Sequence, residues 1–245
     1  MSVVPTQQER LMKRSTSAAF GTSLVALAAL ASMGAAPASA VSPHSHATKG
    51  AEKTVTLNAQ LSQLNNSGAS GTATATVRNQ KIQHIEVHAQ GLTPNAPHAQ
   101  HIHYGEQALN ECPTLALDTN GDGRINTVEG LPAYGPVVVS LTTTGDTTPA
   151  SLLAVARYPV SDGGSYHYSR DNIEFTDVPG TGYSGGGGTA KQIADSIREG
   201  EGVVVIHGID YNRNGVYDFA SAGASDLDPK LPAEATDPAV CGVLR

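Results

Sequence analysis

From residue 54 onward the chain is built of short stretches in which apolar and polar residues alternate. Across residues 54–64 the side chains of Val55, Leu57, Ala59 and Leu61 fall on one face, and across 71–77 Ala73, Ala75 and Val77 do the same. Apolar side chains at every second position mark half-buried strands, and Asn66-Ser67-Gly68 between the two runs is turn chemistry. Further strands are expected at residues 83–90, 100–104, 136–142, 152–158, 166–175 and 202–209. Short strands broken by Gly, Pro, Asn and Asp predict an all-β domain, an antiparallel sandwich or barrel. One short helix is expected at about 190–199, after a flexible loop at 179–188 that contains Gly185-Gly-Gly-Gly188.

The first forty residues follow another pattern. Lys13 and Arg14 precede an Ala-rich apolar run at 18–31, and Ala36-Pro-Ala-Ser-Ala40 follows. This is the order of a secretory signal, with cleavage expected after Ala38-Ser39-Ala40. The run is too short to span a bilayer comfortably. The expected organisation is a signal peptide at 1–40, a flexible lead-in at 41–53 and one β-domain at 54–245, secreted and extracellular or held at the cell wall. Export removes Glu9, Arg10, Lys13 and Arg14 and moves the formal charge from −7 to −9. Nucleic acid and anionic lipid are poor partners for such a surface, because both need basic protein. An acidic surface suits cations. No Trp is present and only Phe175 and Phe219 remain after cleavage, so Val, Ile, Leu and Ala must build the core. Cys112 and Cys241 are the only cysteines. In an oxidising compartment a bridge between them would close a loop of more than a hundred residues, worth roughly 4–5 kcal/mol by chain entropy.

Metal-ligand residue types gather in several places. His98-Ala-Gln-His101-Ile-His103 is the densest histidine group, and His207 ends the apolar run that starts at Val203. On a strand His101 and His103 project to one face, and with His207 they would give three imidazoles, a set suited to Cu or Zn. Spacing alone leaves ordinary strand polarity open for the pair. His84 and His88 share a face with Glu86 and read as a solvated face; His167 reads as a strand histidine, with a fold-back to a fourth imidazole as the alternative. His44 and His46 lie in the lead-in. Asp118, Asn120, Asp122, Arg124, Asn126 and Glu129 occupy every ligand position of an EF-hand calcium loop, with Gly123 at its sharp turn. Asp210, Asn212, Asn214, Val216 and Asp218 repeat its first part, but Ser221 stands at the twelfth place. Asp226 or Asp228 is the expected source of the missing carboxylate. No amphipathic helix precedes Asp118, so the first loop is expected on a β-scaffold.

Gly91-Leu-Thr93, then His98-Ala-Gln-His101-Ile-His103, then Cys112 nine residues on, resembles the copper/zinc superoxide dismutase family. The far end agrees: Val203-Val-Val-Ile-His207 is similar to the strand that carries that family's last copper-ligand histidine, and Cys241-Gly-Val-Leu244 to its terminal strand. The resemblance implies a Greek-key β-sandwich over about 54–245, copper-ligand positions at His101, His103 and His207, a supporting role for His98, and a Cys112–Cys241 disulfide. The departures bear on activity. Asp118 stands where the family's metal-bridging histidine falls, no histidine lies between Cys112 and Tyr166 to make up the zinc set, and Pro238 replaces the guiding arginine. Zinc is therefore not expected. Exported chordin-type domains share the shorter His-x-x-His-Ile-His run.

Three readings follow. The first is an exported, calcium-stabilised protein of dismutase type without efficient dismutation, with copper binding left open. The second is a divergent copper-dependent dismutase; the third is a copper carrier or scavenger. Hydrolysis is disfavoured, because no Gly-x-Ser-x-Gly elbow occurs and both cysteines are committed. The protein partner is unknown.

Overall fold

A computed structural model describes residues 53–245; the expected signal peptide and the rest of the expected lead-in, with His44 and His46, lie outside the described residues. Eight antiparallel strands form one curled sheet, half a barrel, in the order β5-β4-β7-β8-β1-β2-β3-β6. They are β1 (Thr54–Gln63), β2 (Ser70–Arg78), β3 (Lys81–Gln90), β4 (Gln100–His103), β5 (Val137–Ser140), β6 (Tyr166–Glu174), β7 (Val203–His207) and β8 (Pro238–Val243). The chain is mostly β, as the alternation requires. β1 joins the two halves: Thr54 to Leu61 pair with β2, whereas Ser62 and Gln63 pair with Cys241 and Val240 of β8. The turn between β1 and β2 takes positive φ at Asn65, Asn66 and Gly68, residue types that tolerate it.

The two halves differ in burial. β1 alternates buried with exposed residues and β2 buried with half-buried ones, but every residue of β4 and β7 is buried. Strands covered on both faces read as continuous apolar runs, which accounts for Val203-Val-Val-Ile206. Val204, Ile206 and Ile102 point into the main core with Leu57, Leu61, Ile85 and Val87. Val203 and Val205 turn the other way, to Tyr134 and Cys241. Long loops cover that second face. Cys112 is bonded to Cys241 there, with Cα atoms 5.7 Å apart and a sequence separation of 129.

The helix at 190–199 is α2 (Ala190–Arg198), started by a Thr189/Gln192 capping box and seated on Ile193, Ala194 and Ile197. Two further helices were not expected: α1 (Thr127–Tyr134) and the four-residue α3 (Ala233–Thr236). The strand expected at 152–158 is absent. Pro149–Ser151 and Val155–Arg157 form 3-10 turns instead. Local bonds from Ala154 N to Ser151 O and from Arg157 N to Ala154 O close these turns, so the segment's backbone groups are satisfied without a ladder. Among the described residues no helix is long and apolar enough to cross a membrane.

Candidate metal centre

The ladder places the three histidines. His101 of β4 lies opposite Val205 of β7, and His103 opposite Val203. Both therefore share the outward face of β7 that ends in His207. The rings of His101 and His207 lie 5.2 Å apart, those of His101 and His103 5.7 Å, and those of His103 and His207 6.2 Å. One ligand nitrogen from each lies within 4.8 Å of the other two, and all three residues are buried.

Hydrogen bonds decide which nitrogens face each other. His103 Nδ1 donates to Gly135 O at 2.9 Å, and His207 Nδ1 donates to Thr236 O at 2.6 Å. His101 Nε2 lies 2.8 Å from Tyr158 Oη and 3.2 Å from Leu152 O. Tyr158 donates its own proton to Ser151 O at 2.9 Å, so His101 Nε2 is assigned as the donor. A neutral imidazole has one N–H and one lone pair. The lone pairs are thus on His101 Nδ1, His103 Nε2 and His207 Nε2, and these three buried nitrogens have no hydrogen-bond partner. Leaving such groups unsatisfied is costly, about 1–3 kcal/mol each. Burial, then the neighbouring His207 and His103, hold His101 well below its usual pKa, against the opposing pull of Leu152 O. Burial pushes His103 down to about 3 and His207 to about 4. The rings are neutral near pH 7, the form that binds metal.

Sequence reasoning missed the groups that orient the rings. Gly135 follows α1 and has a φ of 79°; a Cβ there would meet Gly105 N at 2.5 Å. The ring of Tyr134 lies 4.5 Å from that of His103. Thr236 O, the acceptor for His207, also takes a bond from Thr127 Oγ1 at 2.6 Å. His98 is fully buried and contacts the backbone rather than the three lone pairs, with Nδ1 2.9 Å from His207 O and Nε2 3.0 Å from Thr93 O.

A cavity of about 280 Å³ opens on the three histidines; Pro97, Leu131, Pro136, Leu152 and Leu231 are among its lining, and no charged side chain is.

The two oxygen-rich loops fold alike. In the first, Asp118 accepts the amides of Gly121 and Gly123 at 2.7 and 2.8 Å. In the second, Asp210 accepts those of Asn214 and Gly215 at 3.1 and 2.6 Å. Glu129 reaches back across the first loop, taking Thr119 N at 2.8 Å on Oε1 and Asn126 N at 3.1 Å on Oε2. These amides hold its carboxyl below the usual range, although burial acts against them. Glu234 of α3 does the same for the second loop: Oε1 takes Tyr211 N at 3.0 Å and Oε2 takes Asp218 N at 2.8 Å. Tyr211 and Asp218 are the second and ninth residues of their loop, as Thr119 and Asn126 are of theirs. Glu234 thus stands to the second loop as Glu129 stands to the first, while Asp228 caps a turn of its own through Lys230 N at 3.0 Å.

Both loops are tied to the histidines. Arg124 pairs with the buried Asp237, Tyr211 Oη donates to the same carboxylate at 3.0 Å, and Asp237 directly follows Thr236. Burial raises Asp237 to about 6 despite the guanidinium beside it. α1 leaves the first loop with Asn126 as its cap and Glu129 completing the capping box, then runs to Tyr134 and the Gly135 carbonyl.

No protein-family model matches the chain, and no curated protein matches it. The class of protein that fold and site define is thus an antiparallel β-domain with a disulfide and a buried group of three histidines able to hold a metal.

Proposed function

We propose that this is an exported copper-binding protein of the dismutase-like class, with calcium-organised loops and without efficient dismutase activity. One observation carries the reading: three buried imidazole lone pairs face one another with no other partner. An ion is the partner that would satisfy all three at once. Among first-row divalent ions, copper binds such nitrogen sets most tightly, and when bound it supplies one-electron chemistry. His101, His103 and His207 would hold it. The Cys112–Cys241 bridge and the meeting of His207 with His101 and His103 support the family resemblance.

The surroundings argue against rapid turnover of superoxide. An anion is drawn in by positive charge, yet the cavity over the histidines has apolar walls and no lysine or arginine. Asp118 is engaged with amides of its own loop.

The expected result is one tightly held equivalent of copper per chain, with nitrogen hyperfine structure in the Cu(II) spectrum. His103→Ala and His207→Ala should each lower retention at least tenfold, with folding checked by circular dichroism. Turnover of superoxide near the diffusion limit by the loaded protein would favour the divergent dismutase instead. Failure of the wild type to retain copper would leave only the calcium-stabilised binding protein.

The matching carboxylate caps of Glu129 and Glu234 support calcium in both loops, since calcium takes six to eight oxygens. A site filled at a hundred times its dissociation constant stabilises the fold by about 2.7 kcal/mol. Calcium-selective chelation is expected to lower Tm, and Glu234→Gln to abolish binding at the second loop while the first still fills. Metal analysis showing zinc and no calcium would overturn this.

A further inference from the structure

We infer that this protein carries a second transition-metal site on the opposite side of the sheet system, made by Glu86, His88 and His167. This inference does not rest on the buried copper site. β3 and β6 pair antiparallel with His88 directly opposite His167 and Glu86 opposite Ser169. β6 ends the strand order, so the cluster sits at a sheet edge. On the inner face of the same strands, Ile85, Val87 and Tyr168 are in the core. Hence Glu86, His88 and His167 must project outward, as residues alternate across a strand.

One ligand atom from each of the three lies within 4.8 Å of the other two. The imidazoles are stacked, with centroids 4.2 Å apart and planes 2° from parallel. Neither ring makes a hydrogen bond to any other described residue, so their nitrogens compete with nothing but water. Glu86 has a neighbour that orients it: His84 Nε2 lies 3.3 Å from Glu86 Oε1, while His84 Nδ1 lies 2.5 Å from Asp171 Oδ1. Asp171 first and Glu86 second raise the pKa of His84. A hydrogen-bonded partner that fixes a ligating carboxylate is the usual support of a metal ligand.

Two imidazoles and one carboxylate form a donor set for zinc or another borderline divalent ion, bound at about 2.0–2.2 Å. The donors stand further apart than in a closed site, and small side-chain rotations from two exposed histidines would bring them together. His88 and His167 are exposed and Glu86 is half-buried, so the ion would keep open positions for water or an outside ligand. Such a site exchanges its metal with solvent, in contrast to the enclosed trio on the other half of the sheet.

The test is a Zn²⁺ titration of the full exported chain in saturating calcium, comparing wild type with His167→Ala and His88→Ala. Both changes are on the surface and should leave the fold intact. Each variant is expected to bind one equivalent fewer than wild type, or that equivalent at least tenfold more weakly, with copper retention at His101, His103 and His207 unchanged. In wild type the ring resonances of His88 and His167 should shift together as that equivalent binds. Equal stoichiometry and affinity in all three proteins, or ring resonances that stay in place, would overturn the inference.

Discussion

Replacing Cys112 and Cys241 together by serine is expected to cost about 4–5 kcal/mol of stability, because the bridge removes closure entropy from a very long loop of the unfolded chain. The residues it joins are 129 apart in sequence. The same change should weaken the three-histidine site. Cys241 lies opposite Val205, and Cys112 and Leu131 pack with Tyr134, Val203 and Val205 in the small second core. That core seats α1, whose last residue lies against the His103 ring and whose following carbonyl binds His103 Nδ1. Without the bridge, the segment from Cys112 to Gly135 is held on this face by noncovalent contacts alone. Denaturant unfolding of the double variant measures the first effect, and copper retained after dialysis against a chelator measures the second. A large stability loss with unchanged retention would mean that Gly135 is held by the sheet and not by the bridge.

Much of the histidine site was legible because it depends on local rules. His101 and His103 share a face by the period of a strand, and the unbroken apolar run before His207 marks a strand buried on both sides. The disulfide follows from the presence of only two cysteines. What escaped is set by partners far apart in the chain. Tyr158 could not be picked out, because the surrounding Leu152, Leu153 and Val155 have strand-like composition; Pro149 and bonds between near neighbours turned the segment into 3-10 structure. α1 was hidden by Gly130 and Pro132, both poor helix formers, although its cap is the Asn126/Glu129 pair already read as calcium ligands. That Gly130 has a packing reason, as a Cβ there would strike the Tyr134 ring at 2.3 Å. Glu234 lies sixteen residues beyond Asp218 and obeys no spacing rule. His167 reads as a strand histidine and is one, but only the register of β6 on β3, invisible in the sequence, sets it beside His88 and away from the trio.

Acid should unfold the metal-free protein far more readily than the copper-loaded one, with the loss beginning below pH 6.5. In the unfolded chain each histidine titrates near 6.5. In the folded protein burial holds His103 at about 3, His207 at about 4, His101 well below its ordinary value and His98 lower than usual. Between those values and 6.5 the unfolded state takes up protons that the folded state refuses, so stability falls as pH falls. Above 6.5 both states are neutral and these rings contribute no slope. Each fully shifted ring costs about 1.4 kcal/mol per pH unit, so the trio alone can remove a marginal domain's stability within two units. Asp237 acts the other way: raised to about 6 by burial, it gains a proton more easily when folded, and its protonation favours the native state as pH drops. His84, raised by Asp171 and Glu86, acts in the same sense as Asp237, but two groups are set against at least three buried imidazoles, and the net sign remains destabilising. Copper changes the balance because acid must first displace the ion before it can protonate the lone pairs. Urea midpoints at pH 7, 6 and 5, with and without copper, should therefore diverge as the pH is lowered. Coincident, flat midpoints would mean that His101, His103 and His207 are solvated, and a solvated trio would need no ion to satisfy it.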